Sequence, residues 1–117
     1  MSIEKFNKVN PLLGEAQLRA VAELFTVLSE PTRLKILQAL HEGSATVGQI
    51  MEATGLKQAN ASKHLGLLHQ AGVLDRQKEG ITTRYSIRLP LVLELCDLVC
   101  ASLQKEARAK ARELGAS

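Results

Sequence analysis

The sequence predicts a mainly α-helical fold that carries one small β-hairpin, and three observations lead there. Apolar residues recur at helical spacing through most of the chain. Aromatic residues make up only 3% of 117 residues, so Leu, Val, Ile and Ala must build the core. One short segment, Ile81–Ile87, is rich in β-branched residues and follows a Glu79-Gly80 turn signal. The length suits a single domain over residues 1–117, with a core thin enough that a dimer interface would add useful burial.

Residues 1–13 read as a flexible arm ending near Pro11. From Glu15 to Leu28, the residues Leu18, Val21, Ala22, Phe25 and Leu28 make an amphipathic first helix. Ser29-Glu30-Pro31 is a cap followed by proline at the first helical position. It opens a second helix to about Leu40, with Leu34, Leu37 and Leu40 inward. Thr46 caps a short third helix carrying Val47, Ile50 and Met51, which stops at Gly55. After the joint Leu56-Lys57, a fourth helix runs from Gln58 to about Gln70, with Ala61, Leu65, Leu67 and Leu68 apolar. Gly72 stands where a left-handed residue belongs. Leu74–Lys78 and Thr82–Ile87 form a two-stranded ribbon, and Pro90 starts a last helix reaching toward Leu114. Residues 104–117 read as a solvated helix end. A helix–turn–helix followed by a hairpin is the winged helix–turn–helix arrangement, here expected to dimerise through its terminal helices.

Charge location narrows the partner. Between Lys57 and Arg88 stand six basic residues against Asp75 and Glu79, a net of +4, whereas the remainder nets −1 from nine basic and ten acidic residues. A localised basic segment suits a polyanion. In a helix–turn–helix the second helix enters the major groove and its N-terminal residues meet base edges. Here these are Gln58, Ala59, Asn60, Ser62, Lys63 and His64, beside Lys57. Gln and Asn pair with adenine, Lys donates to guanine or phosphate, and Ser and His suit phosphate or water-bridged contacts. Lys78, Thr82, Thr83 and Arg84 at the ribbon tip suit the DNA backbone or minor groove; Arg84 has the alternative of pairing with Asp75 or Glu79. A winged helix used only as a protein-interaction module is the rival reading, but it has no need of a basic recognition face.

An enzyme is not expected. Ser62 and His64 lie two apart on a helix and do not face each other, and no Gly-rich phosphate loop is present. His41 sits at a helix end and His69 late in the fourth helix, too scattered for a metal cluster. No apolar run approaches the ~20 residues that span a membrane. The start MSIEKFNKVN has no apolar signal core, so the cytoplasm is expected, with Cys96 and Cys100 reduced.

Leu28–Leu40 (LSEPTRLKILQAL), Leu56–Gly80 (LKQANASKHLGLLHQAGVLDRQKEG) and Tyr85–Ile87 (YSI) together resemble the ArsR/SmtB family, over roughly Leu24 to Leu103. The resemblance implies a homodimeric repressor on a double-stranded DNA operator, released when an inducer is sensed. The family's sensing sites do not carry over. The Cys-x-Cys places on the third helix hold Thr46 and Gly48. No histidine follows His69 to supply the site across the last helices, and no cysteine precedes Cys96 to complete the persulfide-responsive pair. Cys96 and Cys100 remain, four apart on one face of the last helix. Two readings of them stand open. They hold a thiophilic metal or metalloid, or meet an oxidant, together with the thiols of a second subunit; or they pack as small hydrophobes within the broad apolar arc of Leu91, Val92, Leu95, Val99 and Leu103.

Overall fold

The computed structural model describes residues 14–115. The arm expected over 1–13 lies outside them, as do the last two residues of the 104–117 helix end. The elements are α1 (Glu15–Leu28), α2 (Pro31–Ala39), β1 (Ala45–Thr46), α3 (Val47–Thr54), α4 (Gln58–Gln70), β2 (Leu74–Glu79), β3 (Thr82–Ile87) and α5 (Leu91–Gly115). The helix limits follow from local chemistry. Glu30 accepts from the backbone N–H groups of Thr32 and Arg33 at the start of α2, with Pro31 at the first position. Thr46 and Gln49 form a reciprocal capping box on α3. Gly55 and Gly72 take the left-handed φ values of 76° and 81° that end α3 and follow α4.

The sheet is antiparallel in the order β1-β3-β2, so the expected two-stranded ribbon is three-stranded. β1 pairs Ala45 with Tyr85 and Thr46 with Arg84; at two residues it is too short to show any alternation in sequence. Register assigns the two faces of the wing. Leu74↔Ile87, Arg76↔Tyr85 and Lys78↔Thr83 share the face whose Leu74 and Tyr85 are buried. Asp75↔Ser86, Gln77↔Arg84 and Glu79↔Thr82 share the other.

The core joins Ile36, Leu37 and Leu40 of α2 and its C-cap to Ile50, Leu65, Leu68, Val73, Leu74 and Val92. One inward assignment needs correction. Leu34 is exposed, and Ile36 takes its place because 36, 37 and 40 form the arc of α2 that meets α3 and α4. Leu67 is also exposed, on the side of α4 away from Leu65 and Leu68. Of α5, Val92 is buried and Leu93, Leu95 and Cys96 pack partly on the core, whereas residues 97–115 are exposed. A helix of 25 residues is about 37 Å long at 1.5 Å per residue, so its second half stands off the body. The radius of gyration is accordingly 18.0 Å, against about 13 Å for a compact chain of 100 residues.

Candidate functional site

The sequence expects one face to be built from the start of α4 and the wing. Lys57 is the N-cap of α4, in extended conformation, and it is exposed. Gln58, Ala59, Asn60, Ser62 and Lys63 are all exposed. The helix contains no acidic residue between Gln58 and Gln70. Its N-terminus therefore adds a partial positive charge to a surface with no carboxylate of its own. Lys78 is exposed on β2, on the sheet face of Tyr85. Thr82 is half-buried on the opposite face.

Two of the expected residues are placed differently. His64 is only 7% exposed. It points inward because Ala61, His64, Leu65 and Leu68 form the buried arc of α4 at spacings of three and four. Arg33 donates through a terminal guanidinium nitrogen to His64 Nδ1 at 3.2 Å, which leaves the ring proton on Nε2, 3.9 Å from the Glu30 carboxylate. Arg33 also donates to the carbonyls of Val27 and Thr26 at the end of α1. One polar node thus ties α1, the capped start of α2 and the middle of α4. Arg84 is the second case. Its Nε donates to Glu79 at 2.9 Å and a terminal nitrogen to Ser44 Oγ at 3.3 Å, so it braces the hairpin across the strand. Of the six basic residues in the Lys57–Arg88 segment, Arg84 bonds Glu79 and Arg88 donates to the Gly72 carbonyl. Lys57, Lys63, Arg76 and Lys78 have no ion pair among the described residues. Arg76 was not among the expected site residues; its parity with Leu74 along β2 is the signal that places it on the α4 side.

The two cysteines line a separate apolar cleft of about 570 Å³ between α1, α2 and α5, with Phe25, Leu34 and Val99. Cys100 is exposed and Cys96 half-buried. Burial, and secondarily the neighbouring Asp97 carboxylate, push the Cys96 thiol above its ordinary pKa. Asp97 in turn meets His41 Nε2 at 3.3 Å. Among the described residues no three His, Cys, Asp or Glu side chains are grouped as a metal would need, so one chain offers a soft ion only this pair of thiols.

A helix–turn–helix whose second helix is polar, basic and free of carboxylates, beside a wing with cations that have no ion pair among the described residues, defines a winged-helix DNA-binding protein. Residues 30–76 match the family described as "Bacterial regulatory protein, arsR family". An uncharacterised HTH-type transcriptional regulator of Mycobacterium tuberculosis is 39% identical over 83 residues, covering 70% of this chain and 73% of the relative. The cadmium resistance transcriptional regulatory protein CadC of Listeria innocua is 33% identical over 96 residues, 81% of each chain. Among solved structures, the AntR antimony-specific transcriptional repressor superposes with a TM-score of 0.79 at 28% identity, covering 92% of this chain and 98% of that one. The homodimeric winged helix–turn–helix DNA-binding domain of a Mycobacterium bovis protein does so with a TM-score of 0.72 at 31% identity, covering 80% and 87%. The chain belongs to the ArsR family. It is a DNA-binding transcriptional regulator, of a family of regulators and not of enzymes. No helix among its described residues is long and apolar enough to cross a membrane.

Proposed function

We propose that the protein is a homodimeric repressor that holds an inverted-repeat operator and lets go of it when an inducer reaches α5. The carrying observation is the exposed, carboxylate-free face of α4. Gln58 and Asn60 read base edges, Ser62 and Lys63 hold phosphate or guanine, and Lys57 and Lys78 flank them along the backbone. Two such helices related by a twofold axis require half-sites about one helical turn, ~34 Å, apart. The dimer reading is supported by apolar residues on both terminal helices that are uncovered among the described residues: Phe25 is 53% exposed and Leu98 71%, with Leu18, Val99 and Leu103 alongside.

Binding to a duplex selected by the protein from a random pool, compared with a random duplex, tests the base-reading role. Gln58→Ala should narrow the ratio of the two affinities, at a cost of ~1–3 kcal/mol where a bidentate contact is lost. Lys63→Ala should weaken both and lower the salt slope by about 0.9. Equal loss on both duplexes for Gln58→Ala contradicts the assignment.

The inducer is read as a soft metal ion, a metalloid or an oxidant acting at Cys96 and Cys100. Support comes from the thiols' shared cleft beside α1 and from relatives named for cadmium and antimony. A change there shifts the helix expected to set the distance between the two α4 helices. A Cys96→Ser, Cys100→Ser double variant should keep its operator and stop responding. Release of that variant by the same agent as wild type makes the cysteines packing residues.

A further inference from the structure

The recognition helix carries a glycine in its interior for which the fold itself gives no reason. An added Cβ at Gly66 meets no atom within 4 Å, and Gly66 is not among the positive-φ glycines. Alanine would fit there and would strengthen the helix. Gly66 follows Ala59 and Lys63 and precedes Gln70 at spacings of four, three and four, so it lies on the stripe that α4 presents outward. Beneath that stripe, a groove of about 510 Å³ runs between α4 and β2, lined by Lys63, Gly66, Leu67, His69, Gln70 and Arg76. It has no carboxylate. Register brings Arg76 to it, opposite Tyr85. Neither Lys63 nor Arg76 has an ion pair or hydrogen-bond partner among the described residues.

We propose that this groove seats one phosphate of the DNA backbone, with Arg76 and Lys63 on either side and Gly66 keeping the helix surface low enough for the strand to approach. Two cations facing one cleft repel each other unless an anion lies between them, and a guanidinium offers phosphate two parallel donors. Glycine is the residue that permits close approach to a backbone. The inference rests on the DNA-binding reading above and adds Arg76 and Gly66 to its contact surface.

The full chain is made as Gly66→Ala, Gly66→Leu and Arg76→Ala, and each is followed by thermal unfolding and by binding to the selected and the random duplex over a salt series. Gly66→Ala should unfold at the wild-type temperature or above it and still bind both duplexes several-fold more weakly, with Gly66→Leu weaker again. Arg76→Ala should lose affinity for both and lower the slope of log K against log salt by about 0.9. Wild-type affinity in both Gly66 variants, or an unchanged salt slope in Arg76→Ala, overturns the proposal. Arg76 is exposed, so its variant decides the matter even where a Gly66 substitution unfolds the chain. A wild-type protein that binds neither duplex overturns the DNA-binding reading itself, which separates that failure from this one.

Discussion

Single side chains here carry opposite kinds of work. His64 looks like a DNA-side residue by position and is a structural one by burial: it satisfies Arg33 and faces the carboxylate that caps α2. His64→Ala would leave a half-buried guanidinium one acceptor short, a loss of about 1–3 kcal/mol. Urea unfolding at fixed protein concentration should show it, because the stability of a dimer depends on concentration. A midpoint unchanged from wild type would remove the node's importance. Gly66 runs the other way, since a helix-interior glycine costs about 0.5–1 kcal/mol relative to alanine and no neighbour among the described residues needs the space it leaves. The cysteines differ by environment. A raised pKa leaves less thiolate at a given pH, so Cys96 should alkylate slowly near neutrality and speed up only as the pH climbs past the ordinary thiol range. Exposed Cys100 should be modified first. Asp97→Asn removes the lesser cause of the shift and should move the Cys96 profile to lower pH. Peptide mapping after timed alkylation reads both, and Cys96 reacting ahead of Cys100 at neutral pH would contradict the assignment.

At the scale of elements, what could be read in advance was whatever repeats. The limits of α1 and α4 follow from helical apolar spacing together with Gly72, and those of α3 from Thr46 and Gly55, since caps and left-handed positions are written in residue type. β1 could not be read, because two residues have no period and their pairing is set by β3, some 40 positions away. The direction of His64 and of Leu34 depended on which arc of each helix faces its neighbours, which spacing leaves open within about one residue. Arg84 had two candidate partners, and both Asp75 and Glu79 lie diagonal to it on the same sheet face, so neither sequence nor register decides between them; the guanidinium turns to Glu79, at 2.9 Å. An exposed ion pair of this kind contributes about 0–1 kcal/mol, so Arg84 serves geometry more than stability. The same reasoning underlies the role proposed for α1 and α5. Their outward apolar residues have no cover among the described residues, and Val99→Glu would put a charge into the face expected to meet a second copy. That variant should sediment as a monomer or precipitate. A wild-type protein that is itself monomeric at micromolar concentration would remove the dimer reading.

The whole molecule is wide for its length, 52 by 47 by 21 Å, because α5 extends beyond the body. A monomer of this shape leaves its longest helix largely uncovered, and burial against a twin is the simplest remedy for a thin core. In the proposed dimer, pairing two chains through α1 and α5 would also fix the separation of the two α4 helices, and the proposed sensing at the cysteine cleft would act on DNA through that separation. The strain of misplacing one recognition helix falls on binding, since both must reach the major groove on the same side of the duplex. Spacing is therefore decisive for a twofold reader, and affinity for a selected operator is measured as base pairs are inserted between its half-sites. Binding should be tight at the natural spacing and collapse toward the affinity for random DNA when about five base pairs, half a helical turn, are added. Affinity that stays the same across the insertion series would contradict a rigid, twofold reader of an inverted repeat.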